Sequence, residues 1–183
     1  MTAMQELMSG EPIKFRCLRC GECCRRLLVD VNLMRKGLPL FPDERGLFPE
    51  GLIRPGIGIG HPDEPGFKVI SHQMTETVCP HLDEDSCSIW RTRPVVCRSY
   101  PCMPAITQGG YVTREVSLEC TSLMMEAARR QRAFDVDETS LECELESLER
   151  LSEITEGAMG NLDEAWLYDL RGERWVRFEG LRP

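Results

Sequence analysis

The residues of this chain best equipped for chemistry are its thiols. Ten cysteines occur among 183 residues, and eight of them fall in two blocks more than fifty residues apart: Cys17, Cys20, Cys23 and Cys24, then Cys79, Cys87, Cys97 and Cys102. A Cys-x-x-Cys turn such as Cys17-Leu18-Arg19-Cys20 sets two thiolates at the right separation to share a metal, and Cys23 extends the wrap around something larger than one ion. Three thiolates in that rhythm are the local signature of an iron-sulfur cluster, with 4Fe-4S the favoured form. Ferredoxin-type runs add a cysteine followed by proline, and the corresponding pair here is the distant Cys79-Pro80. Zinc is the alternative, since Cys17 and Cys20 with two thiolates of the second block make a tetrahedral all-sulfur site. Adjacent Cys23 and Cys24 are not expected to enter one small coordination sphere, which leaves one of them for a second ion, a bridge or redox chemistry.

The second block must fold on itself to bring its thiols together. A turn at Asp83 to Ser86 is placed to fold Cys79 onto Cys87 as a hairpin, and Pro94 is placed to open a short helix carrying Cys97. Eight thiols exceed one mononuclear site and suit one cluster with spares, or two sites. Four thiolates around Zn2+ or an oxidised four-iron core leave a net charge of about −2, which needs compensation where water is partly excluded. Arg16, Arg19, Arg25, Arg26, Arg91, Arg93 and Arg98 crowd both blocks and are expected to supply it, with Arg93 and Arg98 facing the bound cofactor.

Other candidates are weaker. Cys120 and Cys143 lie in predicted helical surroundings and read as small core residues. His61, His72 and His81 lack metal-binding spacing, and His81, two residues after Cys79, comes nearest to a ligand. Asp83, Glu84 and Asp85 read as a solvated turn. Gly56-Ile57-Gly58-Ile59-Gly60 lacks the Gly-Lys-Ser/Thr ending of a phosphate loop and runs into His61-Pro62, so it reads as a glycine-bearing strand or loop.

Taken together, the pattern F-x-C-x-x-C-G-x-C-C-R followed by C-x7-C-x-I-W-x-x-R-P-x-x-C-R-x-Y-P resembles the YkgJ-like cysteine-cluster (CxxCxxCC) family of zinc- or iron-chelating domains, over Phe15 to Cys102. The resemblance implies a small metal-chelating domain. Position by position it points to Cys17, Cys20, Cys23, Cys24, Cys79, Cys87 and Cys97, while Cys102 stands where relatives often carry an aromatic residue. A similar cysteine cluster in bacterial flagellin lysine methylases implies a further alternative, a cluster-dependent redox or methyl-transfer enzyme.

These thiols must be positioned by unusual elements. Arg26 to Val31 alternates partly like a strand. Lys36 to Gly66 is rich in Pro and Gly and reads as loop, with a short hairpin pairing Ile57 and Ile59 against Phe67 to Ser71. Beyond Cys102 the pattern turns helical: Ser122 to Phe134, then a second helix from a capping box at Thr139 and Glu142 through Leu141, Leu145, Leu148, Leu151 and Ile154. Trp166 to Leu170 and Arg174 to Phe178 read as a terminal hairpin about Arg171-Gly172-Glu173. The expected fold is α+β: an irregular cysteine-rich domain with short strands (1–103), then an acidic helical segment with terminal hairpin (104–183) packed on it as one unit.

Composition bounds the function. The net charge is −8, and residues 104–183 hold the whole deficit with 9 Lys/Arg against 17 Asp/Glu. Such a chain lacks the positive stripe that nucleic acid requires. No apolar run approaches a membrane span, and Met1 to Lys14 does not read as a secretory signal, so the expected compartment is cytoplasmic, where thiols stay reduced. The expectation is an iron-sulfur protein in electron transfer, maturation or an accessory role with a protein partner; the alternative is a zinc-stabilised protein-binding module.

Overall fold

A computed structural model of the chain describes residues 17–106, 112–117, 119–130, 147, 149–153 and 164–178. Its architecture is mixed α and β, with short strands, small helices and 3-10 turns. After a 3-10 turn at Glu22–Cys24, β1 (Val29–Val31) and β2 (Met34–Lys36) form a hairpin. Its turn residues, Asn32 and Leu33, both have positive φ (48° and 67°), the geometry that matches the twist of a tight antiparallel pair.

The stretch Lys36 to Gly66 holds the expected pairing of Ile57 and Ile59 with the strand that follows Phe67, and is otherwise more ordered than a loop. It contains β3 (Pro39–Leu40), 3-10 helices at Pro42–Leu47 and Glu50–Leu52, and β4 (Ile53–Ile59), which pairs with β5 (Lys68–Met74). Proline and glycine are accommodated by particular devices. Pro55 cannot donate a ladder bond, and a register shift falls between Pro55 and Ile57. The amide of Gln73, 2% exposed, fills the gap: its Nε2 donates to the Pro55 and Tyr168 carbonyls at 2.7 and 2.8 Å. A Cβ on Gly58 would collide with the Phe67 ring, so the glycine makes room for an aromatic row of Phe67, Trp175 and Tyr168.

Cys79 precedes and Cys87 ends the small hairpin of β6 (Leu82–Asp83) and β7 (Ser86–Cys87), in which Cys87 pairs with Leu82 about the turn expected at Asp83 to Ser86. Pro94 caps α1 (Val95–Ser99), which carries Cys97. A further hairpin then intervenes where helix is expected: β8 (Cys102–Ile106) pairs with β9 (Val112–Val116) before α2 (Thr121–Arg130) begins. The β-branched run of β9, Val112, Thr113 and Val116, is the signal for strand there. The capping box at Thr139 and Glu142 and most of the second helix lie outside the described residues, as do Arg16 and Cys143.

The terminal hairpin, β10 (Ala165–Asp169) with β11 (Arg174–Arg177), forms as predicted and also joins β4, giving a sheet ordered β11-β10-β4-β5-β3. Two buried clusters connect this scaffold to the thiols. Leu27, Leu40, Phe48, Ile53, Met74 and Cys79 form one, with Cys24 packed against it; Phe41, Val95, Val96 and Leu151 form the other, with Cys97 against it. Each large apolar side chain there contributes about 1.5–3 kcal/mol, so both cysteine blocks are rooted in core.

Candidate metal centre

The first block is a chain of turns that aims thiols inward. Arg19 has φ 55° and its amide donates to the Cys17 Sγ at 3.4 Å, the sulfur-directed N–H of a metal-binding turn. Gly21, at φ +70°, is required: a Cβ there would lie 2.5 Å from an Arg25 guanidinium nitrogen and 3.0 Å from Leu82 Cδ1. The Cys24 amide donates to the Gly21 carbonyl at 2.9 Å, closing the 3-10 turn, and the Cys24 carbonyl accepts the Cys79 amide at 2.7 Å. That last bond joins the blocks at their thiols. Arg25 adds a clip, with Nη2 2.7 Å from both the Glu84 carbonyl and the Asp85 carboxylate.

The thiols of Cys23 and Cys79 each lie within hydrogen-bonding reach of the Cys24 thiol. The pKa of Cys24 is raised by its neighbours Cys23 and Cys79 and by burial, while hydrogen bonding to Cys24 lowers the pKa of both partners. The adjacent cysteines differ in setting: Cys24 packs against the buried cluster of Leu27, Leu40 and Met74, whereas Cys23 is exposed. Burial raises the pKa of Cys17, Cys87 and Cys97, and each also feels Cys23 as a nearby negative charge. Cys20 acts on Cys17 in the same sense and has its Sγ 3.9 Å from Ser122 Oγ. Cys102 is buried at the start of β8, with Val116 as its register partner.

The charge of Arg93 lowers the pKa of Cys17, Cys87 and Cys97 against the effect of burial. The side chain is held by donating Nη1 to the Trp90 carbonyl at 2.6 Å and Nε to the Cys97 carbonyl at 3.3 Å, with its guanidinium 3.8 Å from the Trp90 ring centroid. Arg19 lies 4.4 Å from the same ring, so Trp90 joins the blocks through two cation–π contacts. Arg98 is half-buried on α1, whereas Arg26 and Arg91 are exposed and Arg25 serves as the clip. His81 Nε2 lies 2.6 Å from the Leu47 carbonyl, to which it donates, and its ring packs on Phe48 at 5.0 Å.

Three residues near the thiols stand out in the structure. Cys120 is buried, as its reading as a core residue expects, and Cys17 and Cys23 add to burial in raising its pKa. Ser122 Oγ accepts the Leu18 amide at 3.3 Å, tying α2 to the first block. Glu44, buried, accepts the Phe41 amide at 2.9 Å and the Val95 amide at 2.7 Å, so one carboxylate holds both a 3-10 helix and the start of the helix that carries Cys97.

The donor set is soft sulfur with a fixed guanidinium and no competing disulfide, since all the described cysteines are free thiols. It fits zinc or iron by ligand chemistry. Thiols brought from remote segments onto a small mixed α/β scaffold define a metal-chelating cysteine-cluster domain. Residues 16–121 match the model of the CxxCxxCC family, described as a zinc- or iron-chelating domain, and the chain belongs to that family. No curated protein and no solved structure matches the chain. Among the described residues no helix is long and apolar enough to cross a membrane.

Proposed function

We propose that the domain holds an iron-sulfur cluster on thiols drawn from Cys17, Cys20, Cys23, Cys24, Cys79, Cys87, Cys97 and Cys102, with Cys120 a further candidate, and serves as an electron-transfer or accessory protein. The observation that carries this reading is the junction of the two blocks: the run of Cys17, Cys20 and Cys23, in the rhythm of a ferredoxin-type cluster, is tied through the Cys24 carbonyl to the amide of Cys79, whose following Pro80 completes the Cys-Pro pair. Such a cluster, when bound, supplies one-electron redox chemistry. The chain's own contribution is to supply thiolates, offset their charge with Arg93, and exclude water with the two buried clusters. A net charge of −8 favours a protein partner with a basic surface over nucleic acid.

Anaerobic purification with absorption spectroscopy and analysis of iron, zinc and acid-labile sulfide tests the reading. Visible charge-transfer bands with iron and sulfide are expected. A colourless protein with stoichiometric zinc would overturn it in favour of a zinc-stabilised binding module.

A further inference from the structure

Away from the thiols, strands β4 and β10 part. Their ladder ends where Leu167 faces Ile57. Beyond that point Pro55 has no amide to donate, and side chains bridge the strands instead. Gln73 Nε2 donates to the Pro55 and Tyr168 carbonyls, and Lys36 Nζ donates to the Gly56 and Tyr168 carbonyls at 3.3 and 3.0 Å. The β1–β2 hairpin is fastened alongside, the Arg35 carbonyl accepting the Leu170 amide at 2.9 Å. The splay leaves a cavity of about 230 Å³, with Leu28, Arg35, Arg54, Tyr168, Leu170 and Glu173 in its lining.

The charges of this lining are incompletely matched. Half-buried Arg54 donates Nη1 to the Gly51 and Ile53 carbonyls at 3.2 and 2.9 Å and has no carboxylate partner among the described residues. Arg35 shares its carboxylate: its Nε and Arg171 Nη2 lie 3.2 and 2.9 Å from the same Asp30 oxygen, so two guanidinium charges meet one anion. Glu173, exposed in the β10–β11 turn, is the lining's own carboxylate and forms no ion pair with Arg54 or Arg35. Leu28 and Leu170, both half-buried, supply apolar wall. A cavity that offers guanidinium and carboxylate without letting them neutralise each other is complementary to a molecule carrying both charges. Its volume falls below the roughly 300–1,000 Å³ typical of drug-sized ligands, which limits the molecule to a few heavy atoms beyond its charged groups.

We propose that this cavity binds a free aliphatic α-amino acid, with its carboxylate on Arg54 and Arg35, its ammonium on Glu173 and its side chain against Leu28 and Leu170. The site lies on the sheet rather than among the thiols, so the inference is independent of which metal the cysteines hold.

Isothermal titration of the full chain, with its metal content measured beforehand, tests the proposal using L-leucine as probe. Saturable one-to-one binding is expected. 3-Methylbutylamine, which lacks the carboxylate, should bind about tenfold more weakly or worse, and 4-methylpentanoate, which lacks the ammonium, about threefold more weakly or worse. Arg54→Met should weaken leucine about tenfold. Glu173→Gln should weaken leucine about threefold and leave 4-methylpentanoate unchanged. Because Arg54 also holds two carbonyls, the unfolding midpoint of each variant is recorded, and the exposed Glu173→Gln keeps the test decisive if Arg54→Met does not fold. Absence of leucine binding by the folded wild type, equal affinity for leucine and 4-methylpentanoate, or a Glu173→Gln variant that binds leucine as wild type does, overturns the proposal.

Discussion

Arg93 illustrates how much of the site turns on single side chains. Its guanidinium stacks on Trp90, donates to two carbonyls and lowers the pKa of Cys17, Cys87 and Cys97. Arg93→Met removes charge and both hydrogen bonds, and is expected to cost about 1–3 kcal/mol of stability, measured by denaturant titration. The same variant should shift the pH dependence of thiol alkylation in the metal-free protein upward at those cysteines. Arg93→Lys should restore part of that shift through its charge but not the stability, because an ammonium lacks the planar fork. Cys120 gives a second residue-level expectation. Cys120→Ser should weaken metal retention in competition with a chelator, and unchanged retention would return Cys120 to the role of a packed core thiol.

At the scale of elements, two buried carboxylates act as joints. Glu44 accepts one backbone N–H with each oxygen, from Phe41 and Val95. Glu44→Gln turns an amide NH2 toward one of these donors and is expected to cost about 1–3 kcal/mol; it should also lower metal content, because α1 carries Cys97. Asp169 joins the β1–β2 hairpin to the turn after β10, accepting the amides of Arg35, Arg171 and Gly172 at 2.8, 3.0 and 3.1 Å. Burial pushes its pKa up, but those amides and the Arg171 charge more than offset this and hold it below the ordinary value of 3.8. A folded-state pKa below the unfolded one means stabilisation that is present above about pH 4 and lost as pH falls through the folded pKa. Wild type should therefore exceed Asp169→Asn in stability at neutral pH, with the gap closing in acid unfolding curves as pH falls through the folded-state pKa.

For the whole molecule, metal and sheet are expected to stabilise different parts. The sheet β11-β10-β4-β5-β3 is held by backbone ladders, Gln73 and aromatic packing, whereas residues 17–26 and 79–99 consist largely of turns around thiols. Metal removal should thus strip hydrogen-exchange protection from those two segments first and leave β4, β5 and β10 protected. Simultaneous loss across both regions would show that the centre holds the entire fold together.

Much of this molecule could be read along the chain. Thiol identity and spacing, the β6–β7 turn, the Pro94-capped helix carrying Cys97, the hairpin about Arg171-Gly172-Glu173 and the helix from Thr121 all depend on side-chain chemistry and turn propensity acting over a few residues. Long-range packing decided the remainder. Ser122 meets Leu18 across 104 residues and Glu44 meets Val95 across 51, and no local pattern announces either bond. The joining of β10 to β4, the burial of Cys120 near Cys17 and Cys23, the seating of Arg93 on Trp90 and the exposure of Cys23 share that origin. Burial and charge proximity are properties of what surrounds a residue in space, and space is set only when distant segments pack.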